Sequence, residues 1–363
     1  MGPASMVVWG GLLLGIGFGA VANRANFCTM GAISDVVNMG HWGRVRMWLL
    51  AVAVAMIGAG LLQFFELADL TKSVYYRANL PWLSLLLGGL LFGVGMTIAS
   101  GCPNKNLVRL GGGSLRSLVV LVFLGLSAYM TLKGLFGQWR ASYLDPVSVA
   151  SSTLGLSAQG LPQLFTKLTG VSEKTGLAVT VALVSAALLI FVFKDKRFRA
   201  NALQMGGAVA LGLLVAAGWY LTGNLGYGEN PETLEIVYFA TNSRTIESMS
   251  FVAPIAYNLE LLMLWTDKSL HASFGIATAL GVVLGSFVYS IAAGKFLWEG
   301  FASMQDLGVH LIGAVLMGFG GVTAIGCTIG QGMSGLSSLA LGSFLAMTGI
   351  VVGAVVTMKW QQR

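Results

Sequence analysis

Charge is scarce in this chain: Lys, Arg, Asp and Glu make up 10% of its 363 residues while 56% are hydrophobic, against roughly 25% charged in an ordinary soluble domain. So few charges cannot clothe a water-facing surface, and the mean hydropathy of +0.79 points to a bilayer. Cysteine is limited to Cys28, Cys102 and Cys327, with no CxxC pair and no Cys/His cluster at zinc spacing. That excludes a disulfide framework and argues against a metal site. The three histidines, His41, His271 and His310, stand isolated in loops or at span ends. No cofactor is implied. The net charge of +7 is spread through the loops without a basic stripe carrying interleaved aromatics, so nucleic acid is not an expected partner. There is also no G-x4-G-K-[ST] motif, which leaves a gradient or downstream consumption as the driving force for any movement of solute.

What the chain has in abundance is apolar runs and glycine, 50 of the latter. A membrane-crossing helix needs about 20 mostly apolar residues, so the length suits eight to ten spans and leaves no room for a soluble catalytic domain. The segment from Met6 to Ala22 lacks a basic n-region and a cleavage site and reads as the first span, not as a removable signal peptide. Apolar runs with charged or Gly/Pro boundaries place nine spans at 6–22, 45–65, 81–99, 115–136, 177–193, 203–222, 273–294, 308–325 and 336–358. Of the 21 Lys and Arg residues, 13 fall on the side carrying the 1–2, 3–4, 5–6 and 7–8 connections and the C-terminus. The positive-inside rule then predicts an external N-terminus and a cytoplasmic C-terminus. The Ser-rich stretch from Gln138 to Gly176, with a short amphipathic helix around Leu161 to Leu168, reads as an external loop on the membrane surface.

The segment GVGMTIASGC from Gly93 to Cys102 recurs as GFGGVTAIGC from Gly318 to Cys327, displaced by 225 residues, with further agreement at Gly88 and Gly313. NRANFCTM from Asn23 lies over SRTIESMS from Ser243 with the same spacing from arginine to Cys28 or Ser248. The chain then divides into a first repeat over 1–137, an external loop and linking span over 138–200, and a second repeat over 201–363. The odd span between the repeats inverts the second, the arrangement in which transporters place their site at the repeat interface near the midplane. The expected fold is therefore an all-α integral membrane protein, two inverted four-helix repeats plus a linking helix, with re-entrant loops and half-helices meeting at the centre.

Each repeat carries two breaks, around Cys28 and Cys102 and around Ser248 and Cys327. Non-helical backbone at membrane depth survives only where protein buries it or it lines a cavity. A half-helix that follows such a loop aims free N–H groups at the centre, which favours an anion. Arg24, Lys105, Arg109 and Arg244 flank the breaks and add positive charge; the bland alternative for each is snorkelling to the headgroups. A thiol is a weak donor with a polarizable sulfur, suited to holding a soft ion loosely. Cys28, Cys102 and Cys327 are thus read as lining the path of a small sulfur-containing anion.

The motifs NFCTMGAISD around Cys28, SGCPNKNLVRLGGGS around Cys102 and IGCTIGQGMSGLSSLA around Cys327 resemble the signatures of the YeeE/YedE sulfur-transport family, the thiosulfate transporters. The resemblance covers nearly the whole chain. It implies a nine-helix, hourglass-shaped inner-membrane protein whose cysteines relay thiosulfate by transient hydrogen bonds. It puts Cys28, Cys102 and Cys327 at the family's cysteine positions and Lys105 and Arg109 at the basic positions after the second. Asn104 and Gln331 add donors. The expected function is uptake of thiosulfate, entering past Cys327, crossing at Cys102 and leaving past Cys28, with membrane lipid and a cytoplasmic sulfurtransferase-like protein as further partners. The alternatives left open are a transporter of a selenium compound or another small anion, and a membrane thiol enzyme with Cys102 as nucleophile. Against the enzyme, no histidine lies near a cysteine break, and Glu247 is the one candidate base.

Overall fold

The computed structural model describes residues 2–362 apart from 152–154, 156–157, 231–233 and 302. Part of the Ser-rich stretch thus lies outside the described residues. In chain order the helices are α1 (Pro3–Arg24), α2 (Thr29–Met39), α3 (Gly43–Phe64), α4 (Trp82–Ile98), α5 (Pro103–Gly111), α6 (Leu115–Lys133), α7 (Leu135–Trp139), α8 (Leu161–Thr169), α9 (Glu173–Phe193), α10 (Lys196–Arg199), α11 (Ala202–Tyr220), α12 (Val252–Met263), α13 (Phe274–Ala292), α14 (Met304–Thr323) and α15 (Leu341–Gln361). Among the described residues nine helices are long and apolar enough to span a bilayer. The only strands described are two antiparallel ladders of two and three residues per strand. The chain is an all-α, multi-pass membrane protein.

Each expected span is present, and the shifts at its ends have local causes. Helices α9 and α14 start earlier than their apolar runs because Ser172 and Ser303 cap them, accepting from the Thr175 and Asp306 N–H groups. Helix α6 stops at Lys133 where Gly134 breaks it. The last span begins at Leu341, not 336, because residues 330–335 coil into a wide π turn and Leu339 takes a left-handed φ of 60°. The short helix around Leu161 is α8, and Gly160 beside it bridges to Ala340 at the head of α15.

Small residues set how the spans meet, as lipid offers no hydrophobic drive between helices. Along α1, Gly11, Gly15 and Gly19 face Phe274, Thr278 and Val282 of α13 in rising order, so the two helices run parallel at backbone contact. Gly89 and Gly93 of α4 meet Ala346 and Ile350 of α15 in the same sense. Where α4 crosses α14 the order reverses: Gly88 meets Gly320, and Gly95 meets the Gly313 carbonyl. These are the glycines of the repeated frame, facing one another.

Exchanging α1 with α11, α3 with α13, α4 with α14 and α6 with α15 turns the α1·α13 pair into α11·α3 and the α4·α15 pair into α14·α6, and all four pairs exist. The half-helices obey the same exchange: α2 packs on α3 and α15, and α12 packs on α13 and α6. Helix α9 stands outside this scheme and packs on α3.

Candidate functional site

Three of the four breaks are built by one backbone device. Spans α1, α4 and α14 each end in a residue at positive φ, Asn26 (51°), Ser100 (54°) and Ile325 (60°). The following N–H of Phe27, Gly101 or Gly326 reaches back to the carbonyl of Ala22, Met96 or Gly321 at 2.9, 2.9 and 2.8 Å. These are Schellman closures, which satisfy carbonyls left open at a helix end. None of the three left-handed residues is glycine, and Ile325, being β-branched, is the most strained there. The residue delivered next is in each case a cysteine.

Each cysteine opens the next helical turn. Cys28 is the N-cap of α2, its Sγ accepting from the Gly31 N–H at 3.3 Å. Cys102 is the N-cap of α5, with Pro103 in the first turn where a missing N–H costs nothing. Cys327 repeats the first arrangement, its Sγ accepting from the Gly330 N–H at 3.3 Å. All three thiols are free and buried. The side chain of Cys102 lies beside that of Cys28 and also beside Thr328 from the other half of the chain. The two glycine–cysteine breaks therefore meet.

The fourth break differs. Arg244 has a φ of 55° and is exposed. Ser248 precedes the N-cap of α12, Phe251, by three positions, and its hydroxyl donates to the Val215 carbonyl at 2.7 Å. Glu247 is held within the same loop by the Ser243 N–H at 2.8 Å and by the Ser243 hydroxyl.

Of the flanking cations, Lys105 donates to the Asn26 side chain at 2.7 Å and Arg109 to the Ser100 carbonyl at 2.9 Å. Each braces one of the left-handed residues, and both lie within electrostatic reach of Cys28. Arg24 is exposed at the end of α1 and, among the described residues, has no ion pair or hydrogen bond through its guanidinium. Gln331 donates to the Ala324 carbonyl at 2.6 Å, and its own oxygen is buried without a partner. Asn104 is fully buried, with neither polar atom hydrogen-bonded.

A cavity approaches the cysteines from each face. One, of about 250 Å³, is lined by Tyr75, Arg77, Arg140, Ser248, Ser250 and Gly326 and so abuts the Cys327 break. The other, of about 200 Å³, is lined by Asn23, Lys105, Arg109, Ser290 and Lys295 and abuts the Cys28 and Cys102 breaks. Arg77, Arg140 and Lys295 were not among the residues singled out by sequence; they sit in connections that hydropathy reads as ordinary loops. Tyr75 is likewise invisible to motif reading, yet it lies close to Cys327. Buried thiols separate two cavities that carry basic side chains. Such a layout can admit an anion from either face and hand it across the centre without a continuous water-filled channel.

A family described as sulphur transport matches residues 24–356. A thiosulfate transporter TsuA from Spirochaeta thermophila is 28% identical over 371 residues, covering 98% of each chain. A thiosulfate transporter TsuA from Escherichia coli is 24% identical over 362 residues, covering 98% of this chain and 94% of that one. A probable transporter YedE from Escherichia coli is 27% identical over 188 residues, 52% of this chain and 41% of that one. The chain belongs to the sulphur transport family.

Proposed function

We propose that this member of the sulphur transport family carries thiosulfate across the inner membrane, relayed by Cys327, Cys102 and Cys28 through transient hydrogen bonds. The observation that carries the reading is the threefold use of one Schellman closure to deliver a buried thiol to a helix start, between two cavities with cationic walls. A helix start presents unpaired N–H groups to an anion, and the thiol adds a weak donor that releases what it holds. The relatives named as thiosulfate transporters support the choice of ion.

Entry is from the cavity of Arg77 and exit is past Lys105, with the N-terminus outside and the C-terminus cytoplasmic. The two halves, 1–137 and 201–363, act as inverted repeats about a linker over 138–200, and a cytoplasmic sulfurtransferase-like protein receives the cargo. The chain acts as a transporter, not an enzyme.

The test is thiosulfate flux into liposomes holding the purified protein, without added reductant. Wild type is expected to transport, and Cys102→Ala to lose at least tenfold in rate. Equal flux in the variant would overturn the relay. Turnover of thiosulfate to another sulfur species would instead favour a membrane thiol enzyme.

A further inference from the structure

Every cysteine of the path is accompanied, one or two residues later, by a buried polar side chain that has no hydrogen-bond partner in the protein other than, for Thr328, a cysteine thiol. Thr29 follows Cys28 and is 4% exposed; Asn104 follows Cys102 and is 0% exposed; Thr328 follows Cys327 and is 0% exposed. The hydroxyl of Thr29 and both polar atoms of the Asn104 amide are unpaired, and the Thr328 hydroxyl has only the Cys102 thiol beside it. Leaving a buried polar group unpaired or held only by a weak thiol is costly, so three such groups within two residues of three thiols call for a common reason. Two of the three sit in the first turn of a helix, α2 or α5, and Thr328 lies next to Cys102 across the junction of the halves.

We propose that Thr29, Asn104 and Thr328 are the specificity-determining partners of the three cysteines, each forming with its neighbouring thiol a two-part station for an anion with a soft sulfur end and a hard oxygen end. The thiol takes the sulfur end as a weak, polarizable partner. The hydroxyl or amide donates to the oxygens. Both contacts are neutral, so the ion is held without a buried cation that would trap it. The ion in turn satisfies groups that the empty protein leaves unpaired or holds only through a thiol, which makes binding at each station favourable over passage through a greasy gap. This inference rests on the proposed transport of thiosulfate and names the residues that grip its oxygen end.

The experiment compares wild type with Thr328→Val and Thr328→Ser. It measures thiosulfate flux in liposomes and the melting temperature of the detergent-solubilised protein with and without thiosulfate. Valine keeps the shape and removes the hydroxyl, and loss of one hydrogen bond to a charged ligand corresponds to about tenfold or more in affinity. The expected result for Thr328→Val is a KM raised at least about tenfold, a thiosulfate-induced rise in melting temperature that is lost, and a thiosulfate-free melting temperature unchanged or raised. Serine is expected to restore most of the affinity. A valine variant that keeps the wild-type KM and thermal response overturns the proposal. So does one whose thiosulfate-free melting temperature falls by several degrees, since the hydroxyl then serves the fold. If wild type itself moves no thiosulfate, the transport reading fails first and separately.

Discussion

At the scale of single residues, the cations beside the first two breaks do structural duty as well as electrostatic duty. Arg109 donates to the carbonyl of left-handed Ser100, two positions ahead of Cys102. Arg109→Met, which keeps the length and removes the donor, is expected to lower stability by about 1 kcal/mol, the lower end for a charged hydrogen bond because the guanidinium is partly exposed. Thermal unfolding in detergent reads this directly, and flux is expected to fall with it because the Cys102 turn loosens. The cysteines and these cations were legible in the sequence, since Cys and Lys/Arg are rare enough in such a chain to stand out. The left-handed residues were not. Asn26, Ser100 and Ile325 lack the glycine signature of a helix end, and only the closing hydrogen bonds reveal them. Thr29 and Thr328 were hidden for a different reason: a threonine in an apolar chain looks ordinary until its hydroxyl is found buried, unpaired at Thr29 and beside only the Cys102 thiol at Thr328.

At the scale of helices, the decisive feature is the run of glycines that lets parallel spans touch backbone to backbone. A methyl group on Gly285 of α13 would overlap the Ile16 carbonyl of α1, whereas nothing lies within 4 Å of a methyl at Gly206 of α11. Gly285→Ala is therefore expected to destabilise by about 1–3 kcal/mol through overpacking, and Gly206→Ala to be neutral or to gain up to about 1 kcal/mol from helix propensity. Melting temperatures of the two variants, measured side by side, check the contrast. All nine spans could be read from apolar runs, and the repeated frame of Gly93, Gly95, Gly318 and Gly320 pointed to two related segments. That Gly88 meets Gly320 and Gly95 meets Gly313 across the α4·α14 crossing, while Gly93 and Gly318 turn to α15 and α6, could not be read, because periodicity gives a face and not the helix it meets. The starts of α9 and α14 were displaced by capping serines, which a hydropathy count scores as loop.

At the scale of the whole molecule, two cavities open towards opposite faces with basic residues at each. Arg140 is paired with Asp145 at 3.2 Å, while Arg77, on the same cavity, has no ion pair among the described residues. Arg77 is then the group best placed to gather anions on that face, by a long-range attraction that salt screens over about 10 Å at 0.1 M. Arg77→Gln is expected to raise the half-saturating thiosulfate concentration several-fold at low ionic strength with little change in maximal rate. The difference should shrink towards nothing in about 0.5 M salt, where screening already removes the attraction. Flux titrations at the two ionic strengths measure it.

The pairing of α1 with α13 carries a consequence for biosynthesis. Helix α1 ends at Arg24 and its partner begins at Phe274, about 250 residues later, so at roughly 5–20 residues per second the ribosome needs on the order of 10 to 50 s to supply it. Until then the glycine face of α1 meets lipid or an insertion factor. Neither half can reach its final packing before the other has entered the membrane, so the protein is assembled as an interlock of late contacts and not as two finished modules brought together.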